Sequence, residues 1–80
     1  MKTDREKTMD FSDEAAIIEA VLLLEVEPVD EESIARITGL SRDAVAEALK
    51  VLTARFEAEE HGIQPVRIAG GWAFSPKEHL

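Results

Sequence analysis

Hydrophobic and polar positions alternate with a helical period through most of the chain and with a strand period near its end. The stretch Asp30 to Glu60 reads as two helices joined by a tight turn. Asp30 is placed to cap the first, because its carboxylate accepts from an amide otherwise left unpaired in the first helical turn. Glu31 and Glu32 then put negative charge at the positive end of that helix. Ile34 and Ile37, three residues apart, are expected to point one way. Gly39 suits the left-handed residue that closes a helix, with Leu40 packing back onto the last turn. Ser41 caps a longer helix that carries Val45, Ala48, Leu49, Leu52 and Phe56 on one stripe. Short helix, turn with glycine, long amphipathic helix: this is a helix-turn-helix.

Ahead of it, a helix is expected over Asp13 to Glu25, capped by Asp10 or Ser12 and ended by Glu27-Pro28. Its apolar positions Ile17, Ile18, Val21, Leu22 and Leu24, with Ala16 and Ala20, span more than one face. An arc that wide serves the chain's own core and a second surface as well. Phe11 and Met9 before it suit a hydrophobic staple or a seam between protomers. After it, Gly62 closes the third helix and Ile63 to Ala69 alternates as a strand. Gly70-Gly71 then makes a two-residue hairpin turn, and Trp72 to Ser75 returns. Pro65 has no amide hydrogen, so its strand belongs at an edge or carries a local break. The fold class expected is therefore α+β, mainly α: a three-helix bundle with a helix-turn-helix, followed by a β-hairpin wing. The winged-helix unit occupies 13–76, a flexible lead-in 1–12 and a short tail 77–80.

Composition narrows the function. The chain has 80 residues, enough for one domain with a thin core that a partner or a second copy would reinforce. There is no cysteine, which excludes disulfides and thiolate metal sites. No apolar leader precedes the first helix, and Ala15 to Val26 is too short and too interrupted by Glu19 and Glu25 to cross a bilayer. A cytoplasmic protein without membrane contact is expected.

No constellation suits an enzyme. Glu57 and His61, four apart at a helix end, are two metal ligands where a catalytic zinc site wants at least three. Gly70-Gly71 has neither the following helix nor the Lys-Ser/Thr pair of a phosphate loop. Ser12, Ser33, Ser41 and Ser75 have no histidine in a triad pattern. No metal or cofactor is expected.

Nucleic-acid binding is tested by charge. Nine basic residues oppose seventeen acidic ones, for a net charge of −8. The third helix, the one that enters the major groove in such folds, carries Arg42, Lys50 and Arg55 against Asp43, Glu47, Glu57, Glu59 and Glu60. Glu47 and Lys50 are spaced to pair with each other. Arg42, Lys50 and Arg67, with Lys77 behind them, are the backbone-contact candidates if the domain is a DNA-binding transcription regulator. A basic stripe is missing, so direct nucleic-acid binding is expected to be weak or absent. The acidic run Glu57, Glu59, Glu60 reads most simply as a solvated helix end, the alternative being a dock for a basic segment of a partner. Trp72 and Phe74 on the wing either cover the core or anchor an interface.

The residues together resemble a known family. IEAVLLLEVEPVDEESIARITGLS, from Ile18 to Ser41, and VLTARFEAEEHGIQPVRIAGGWAFSPK are similar to the opening and the third helix with wing of the segregation and condensation protein B (ScpB) family. The carrying features are Glu19-Ala20 before a Leu-rich turn, Glu27-Pro28-Val29, the acidic run into Gly62-Ile63, and Gly70-Gly71 before an aromatic. The resemblance spans Ala16 to Pro76. It implies a non-enzymatic subunit of the bacterial condensin-like complex: a homodimer that binds the kleisin ScpA and, through it, the SMC ATPase, in chromosome condensation and segregation. It implies two tandem winged helices where one is seen here, so the chain looks like an N-terminal fragment. Val26 stands where the family often has a small residue, and Pro65 where it has an aliphatic one. The residues expected to supply protein contacts are Ile17 and Leu24 on the first helix and Trp72 and Phe74 on the wing.

Overall fold

The computed structural model describes residues 10–58 and 61–77. The lead-in before Asp10, Met9, the acidic pair Glu59-Glu60 and the end of the tail with His79 lie outside the described residues. Three helices precede a hairpin: α1 (Ser12–Leu24), α2 (Glu31–Thr38), α3 (Arg42–Arg55), β1 (Ile63–Ile68) and β2 (Gly71–Pro76). This is the expected winged helix.

The helix-turn-helix forms through local polar contacts. Asp30 Oδ1 accepts from the Ser33 amide at 2.7 Å, and Ser41 Oγ from the Ala44 amide at 3.0 Å. Gly39 closes α2 at φ 80°, donating its amide to Ala35 O at 2.8 Å. Thr38 adds a contact that the pattern did not suggest. Its hydroxyl donates to Ile34 O at 2.7 Å and accepts from the Leu40 amide at 3.2 Å, bracing the turn.

The start of α1 is built differently from expectation. Ser12 is its first helical residue, and the N-cap is Phe11 at φ 61°, ψ 19°. Asp10 Oδ1 accepts from the Ser12 amide at 3.0 Å, so one of the two proposed caps acts, from one residue further out. A left-handed phenylalanine costs about 1–2 kcal/mol. Packing of the Phe11 ring against the core offsets it.

The core joins one face of each helix to the hairpin: Ala15, Ile18, Leu22, Val29, Ile34, Val45, Ala48, Leu49, Leu52 and Phe56. All five stripe residues of α3 are among them. Ile37 is not: it is 52% exposed while Ile34 is fully buried. Three residues fall short of a full turn, leaving Ile37 about 60° round the axis from Ile34 and past the edge of the buried face. α3 also stops five residues early. It ends at Arg55, with Phe56 as C-cap and a turn after it, so Glu57 and His61 do not share a helix. His61 instead stacks on Phe56, ring centroids 4.7 Å apart.

The hairpin turn falls one residue earlier than the Gly-Gly pattern suggests. Ala69 (φ 53°) and Gly70 (φ 81°) form it, Ile68 pairs with Gly71, and Gly71 opens the strand. Two positive-φ residues make the primed turn that matches strand twist. The two-residue turn makes Ile68 and Gly71 a hydrogen-bonded pair, so Pro65, opposite Phe74, falls at a non-bonded position of the ladder. Its missing amide hydrogen costs nothing there. β1 is an edge strand, as Pro65 requires, and it runs through the proline without a break.

By the same alternation, Trp72 turns its backbone groups away from β1. They meet Val29, with Val29 N–H donating to Trp72 O at 2.9 Å and Trp72 N–H to Val29 O at 2.8 Å. The segment between α1 and α2 thus adds a one-residue third strand. Lys77, placed in the tail by its sequence, is 7% exposed; its Nζ donates to Ala58 O at 2.6 Å and its amide to Gly62 O at 3.1 Å. Ser12 and Lys77 both belong to the folded unit.

Candidate protein-interaction site

α1 uses two faces. Ala15, Ile18 and Leu22 enter the core, while Ala16, Ile17, Ala20, Leu23 and Leu24 face solvent. The second set recurs at helical spacing, so it is a continuous apolar stripe rather than scattered exposure. Leu24 is 82% exposed, Leu23 57% and Ile17 46%, and Val26 just beyond is 98% exposed. Clustered exposed apolar side chains of this kind are a general feature of interaction surfaces. Ile17 and Leu24 therefore share one surface. Leu23 was missed among the sequence candidates, although its three-residue spacing from Ala20 places it on the same face.

The wing aromatics sit otherwise. Cross-strand partners share a face, so Trp72 and Phe74 lie with Arg67 and Pro65 on the side of the hairpin that packs on the helices. Phe74 meets Phe56 with centroids 5.1 Å apart. Trp72 is half-buried: Nε1 donates to Glu31 Oε2 at 3.2 Å, and the Arg67 guanidinium lies 6.0 Å from its ring centroid. Both therefore complete the core, and Trp72 keeps an accessible edge.

The cationic candidates do not form a basic surface. Arg42 and Arg67 line one shallow depression together with Asp30, Glu31, Glu32 and Gly70. Three carboxylates thus surround two guanidiniums, and phosphate would meet net negative charge there. Asp30 is held below the usual carboxylate range by the Ser33 amide, then by the Ser33 hydroxyl, with Arg36 and Arg42 adding to the effect. Lys50 does not line the depression and is bound to Glu47 at 3.3 Å. Lys77 is taken up by Ala58 O. No helix among the described residues is long and apolar enough to cross a membrane.

Comparison with known proteins accords with this layout. The family described as "Segregation and condensation complex subunit ScpB" matches residues 16–80. The chain belongs to the ScpB family. Segregation and condensation protein B of Myxococcus xanthus (strain DK1622) is 32% identical over 79 residues, covering 99% of this chain. The chain spans 22% of that relative's length. Among solved structures, a dimer of the ScpB N-terminal domain complexed with ScpA peptide is similar at TM-score 0.79 and 26% identity, over 86% of each chain. ScpB from Mycobacterium tuberculosis shares the fold at TM-score 0.77 and 23% identity, over 88% of this chain and 44% of that one. With the family placed and carboxylates beside Arg42, Arg67 and Lys50, the DNA-binding regulator is not favoured.

Proposed function

We propose that this domain is a non-enzymatic, dimerising scaffold of the bacterial SMC–kleisin complex. It acts in the cytoplasm in chromosome condensation and segregation by binding the kleisin ScpA. The observation that carries the reading is the exposed apolar stripe on α1 of a chain that belongs to the ScpB family. A similar N-terminal domain crystallised as a dimer with an ScpA peptide, and this supports both kinds of contact. Ile17 and Leu24, joined by Leu23, supply apolar contact area on α1. The open edge of Trp72 contributes at the wing, with Phe74 holding the hairpin beneath it. The residues that line the Arg42–Arg67 depression add further support, because their acidity suits protein contact better than phosphate.

The test pairs Leu24→Glu with Trp72→Ala, reading oligomeric state by sedimentation and binding by titration with ScpA from the same genome. Leu24→Glu is expected to abolish one of the two associations while leaving the melting temperature close to wild type, since the side chain is exposed. If both variants dimerise and bind ScpA as wild type does, these faces are not the contacts.

A further inference from the structure

The charge around the α1 stripe is one-sided. Between Thr8 and Ala35 there are nine carboxylates and no lysine or arginine, whereas the rest of the chain carries eight acids and nine bases. The net charge of −8 therefore originates in the stretch that contains α1. Glu19 borders the stripe, and the exposed Glu25 and Glu27 stand at its C-terminal end beside Leu24 and Val26.

We propose that the α1 stripe docks an amphipathic helix of the partner whose apolar face is flanked by lysine and arginine, and that a second copy of this chain does not occupy it. This rests on the kleisin-binding reading and assigns the α1 face to the kleisin.

The argument runs through symmetry and charge. A two-fold contact through this surface is isologous, bringing the same acidic patch of both copies together. Glu19, Glu25 and Glu27 of each copy then lie in or beside the contact, and like charges across an interface oppose association. A basic-flanked partner reverses that sign and is steered to the site. Shape agrees. The stripe of Ala16, Ile17, Ala20, Leu23 and Leu24 recurs every three to four residues, which fits the ridge-and-groove packing of another helix. Ala16 and Ala20, both exposed within it, leave room for a close approach.

The experiment titrates wild type and the double variant Glu25→Lys, Glu27→Lys with ScpA from the same genome. Binding is read by calorimetry at about 50 mM and about 500 mM salt, where screening separates the two regimes. Self-association is read in parallel by sedimentation. Both positions are exposed, so the variant retains the fold. The expected result is ScpA binding about tenfold weaker than wild type at low salt, a gap that narrows at high salt, and unchanged self-association. Equal ScpA affinity, or tighter self-association of the variant, overturns the inference and leaves the scaffold reading standing. Failure of wild type itself to bind ScpA overturns both.

Discussion

Replacing Gly71 by alanine should destabilise the domain more than replacing Gly70, although the sequence presents the two as equivalent. A Cβ on Gly71 would lie 3.0 Å from Pro28 C, Pro28 Cβ and Val29 N, two of them backbone atoms that cannot rotate away. Carbon atoms rest at about 3.5–4.0 Å, so the 28–29 segment must retreat by roughly half an ångström or more. That movement stretches the Val29–Trp72 hydrogen bonds, now 2.9 and 2.8 Å, towards the limit of useful geometry. Overpacking costs about 1–3 kcal/mol and each weakened bond a fraction of about 1 kcal/mol, giving about 2–3 kcal/mol together. A chain of 80 residues has about 4–12 kcal/mol in all. At about 4–8 °C per kcal/mol the melting temperature should fall by about 10–20 °C. Gly70→Ala meets open space and carries only the left-handed penalty, about 1 kcal/mol. The assay is thermal melting of both variants together with amide exchange at Val29 and Trp72. Gly71→Ala should expose both amides, and Gly70→Ala neither. A Gly71→Ala melt within about 3 °C of wild type, with the two amides still protected, would refute the reasoning.

Two further outcomes follow from burial and charge. Ile34→Ala should cost about 2–5 kcal/mol in urea unfolding because the side chain is fully buried, and Ile37→Ala, three residues on, about 0.5 kcal/mol or less. Similar costs for the two would mean that α2 packs on a different face. Asp30 titrates below its ordinary range because Ser33 and nearby arginines favour its charged form. Its folded value lies under its unfolded one, so its contribution is complete above about pH 4 and disappears as pH falls through the folded value. The stability gap between wild type and Asp30→Asn should therefore shrink between neutral and strongly acidic pH; a constant gap argues against the assignment.

The parts legible in the sequence are those fixed by neighbours along the chain. Asp30, Gly39 and Ser41 act on amides and carbonyls within four residues, so their roles could be read without tertiary information. The α3 stripe was legible for a similar reason, because four turns of repeated spacing outweigh any single position. What escaped was decided at a distance. Either glycine of the pair tolerates a positive φ; the choice of register belongs to Val29, which needs a residue without Cβ opposite Pro28. The third strand is one residue long and has no pattern to detect. Ile37 had a plausible spacing, but its offset of about 60° from Ile34 put it past the edge of a face that only the packing of α2 defines. At the candidate site, the wide apolar arc of α1 signalled two uses. The division between inner and outer residues, including the place of Leu23, came only with the position of α3 and β2.

The hairpin's attachments bear on the proposal that the domain binds protein rather than nucleic acid. A wing that reads DNA extends a cationic tip towards a groove, and its usefulness depends on reach and charge. Here the tip is Ile68, Ala69 and Gly70, all uncharged, and the nearest cation, Arg67, lies over Trp72 beside the carboxylates of α2. Both ends of the hairpin are tied back. Val29 and Glu31 hold Trp72 near the turn, while Lys77 clasps Ala58 and Gly62 at the open end. Phe74 on Phe56 closes the middle. A hairpin so held covers part of the helical core with Trp72 and Phe74. The exposed face of α3 carries both signs of charge, whereas Ile17, Leu23, Leu24 and Val26, most of the exposed large hydrophobics among the described residues, lie on or just beyond α1. The outer face of α1 lies on the most acidic part of the chain, the setting that the proposed partner, apolar at its centre and basic at its rim, would complement.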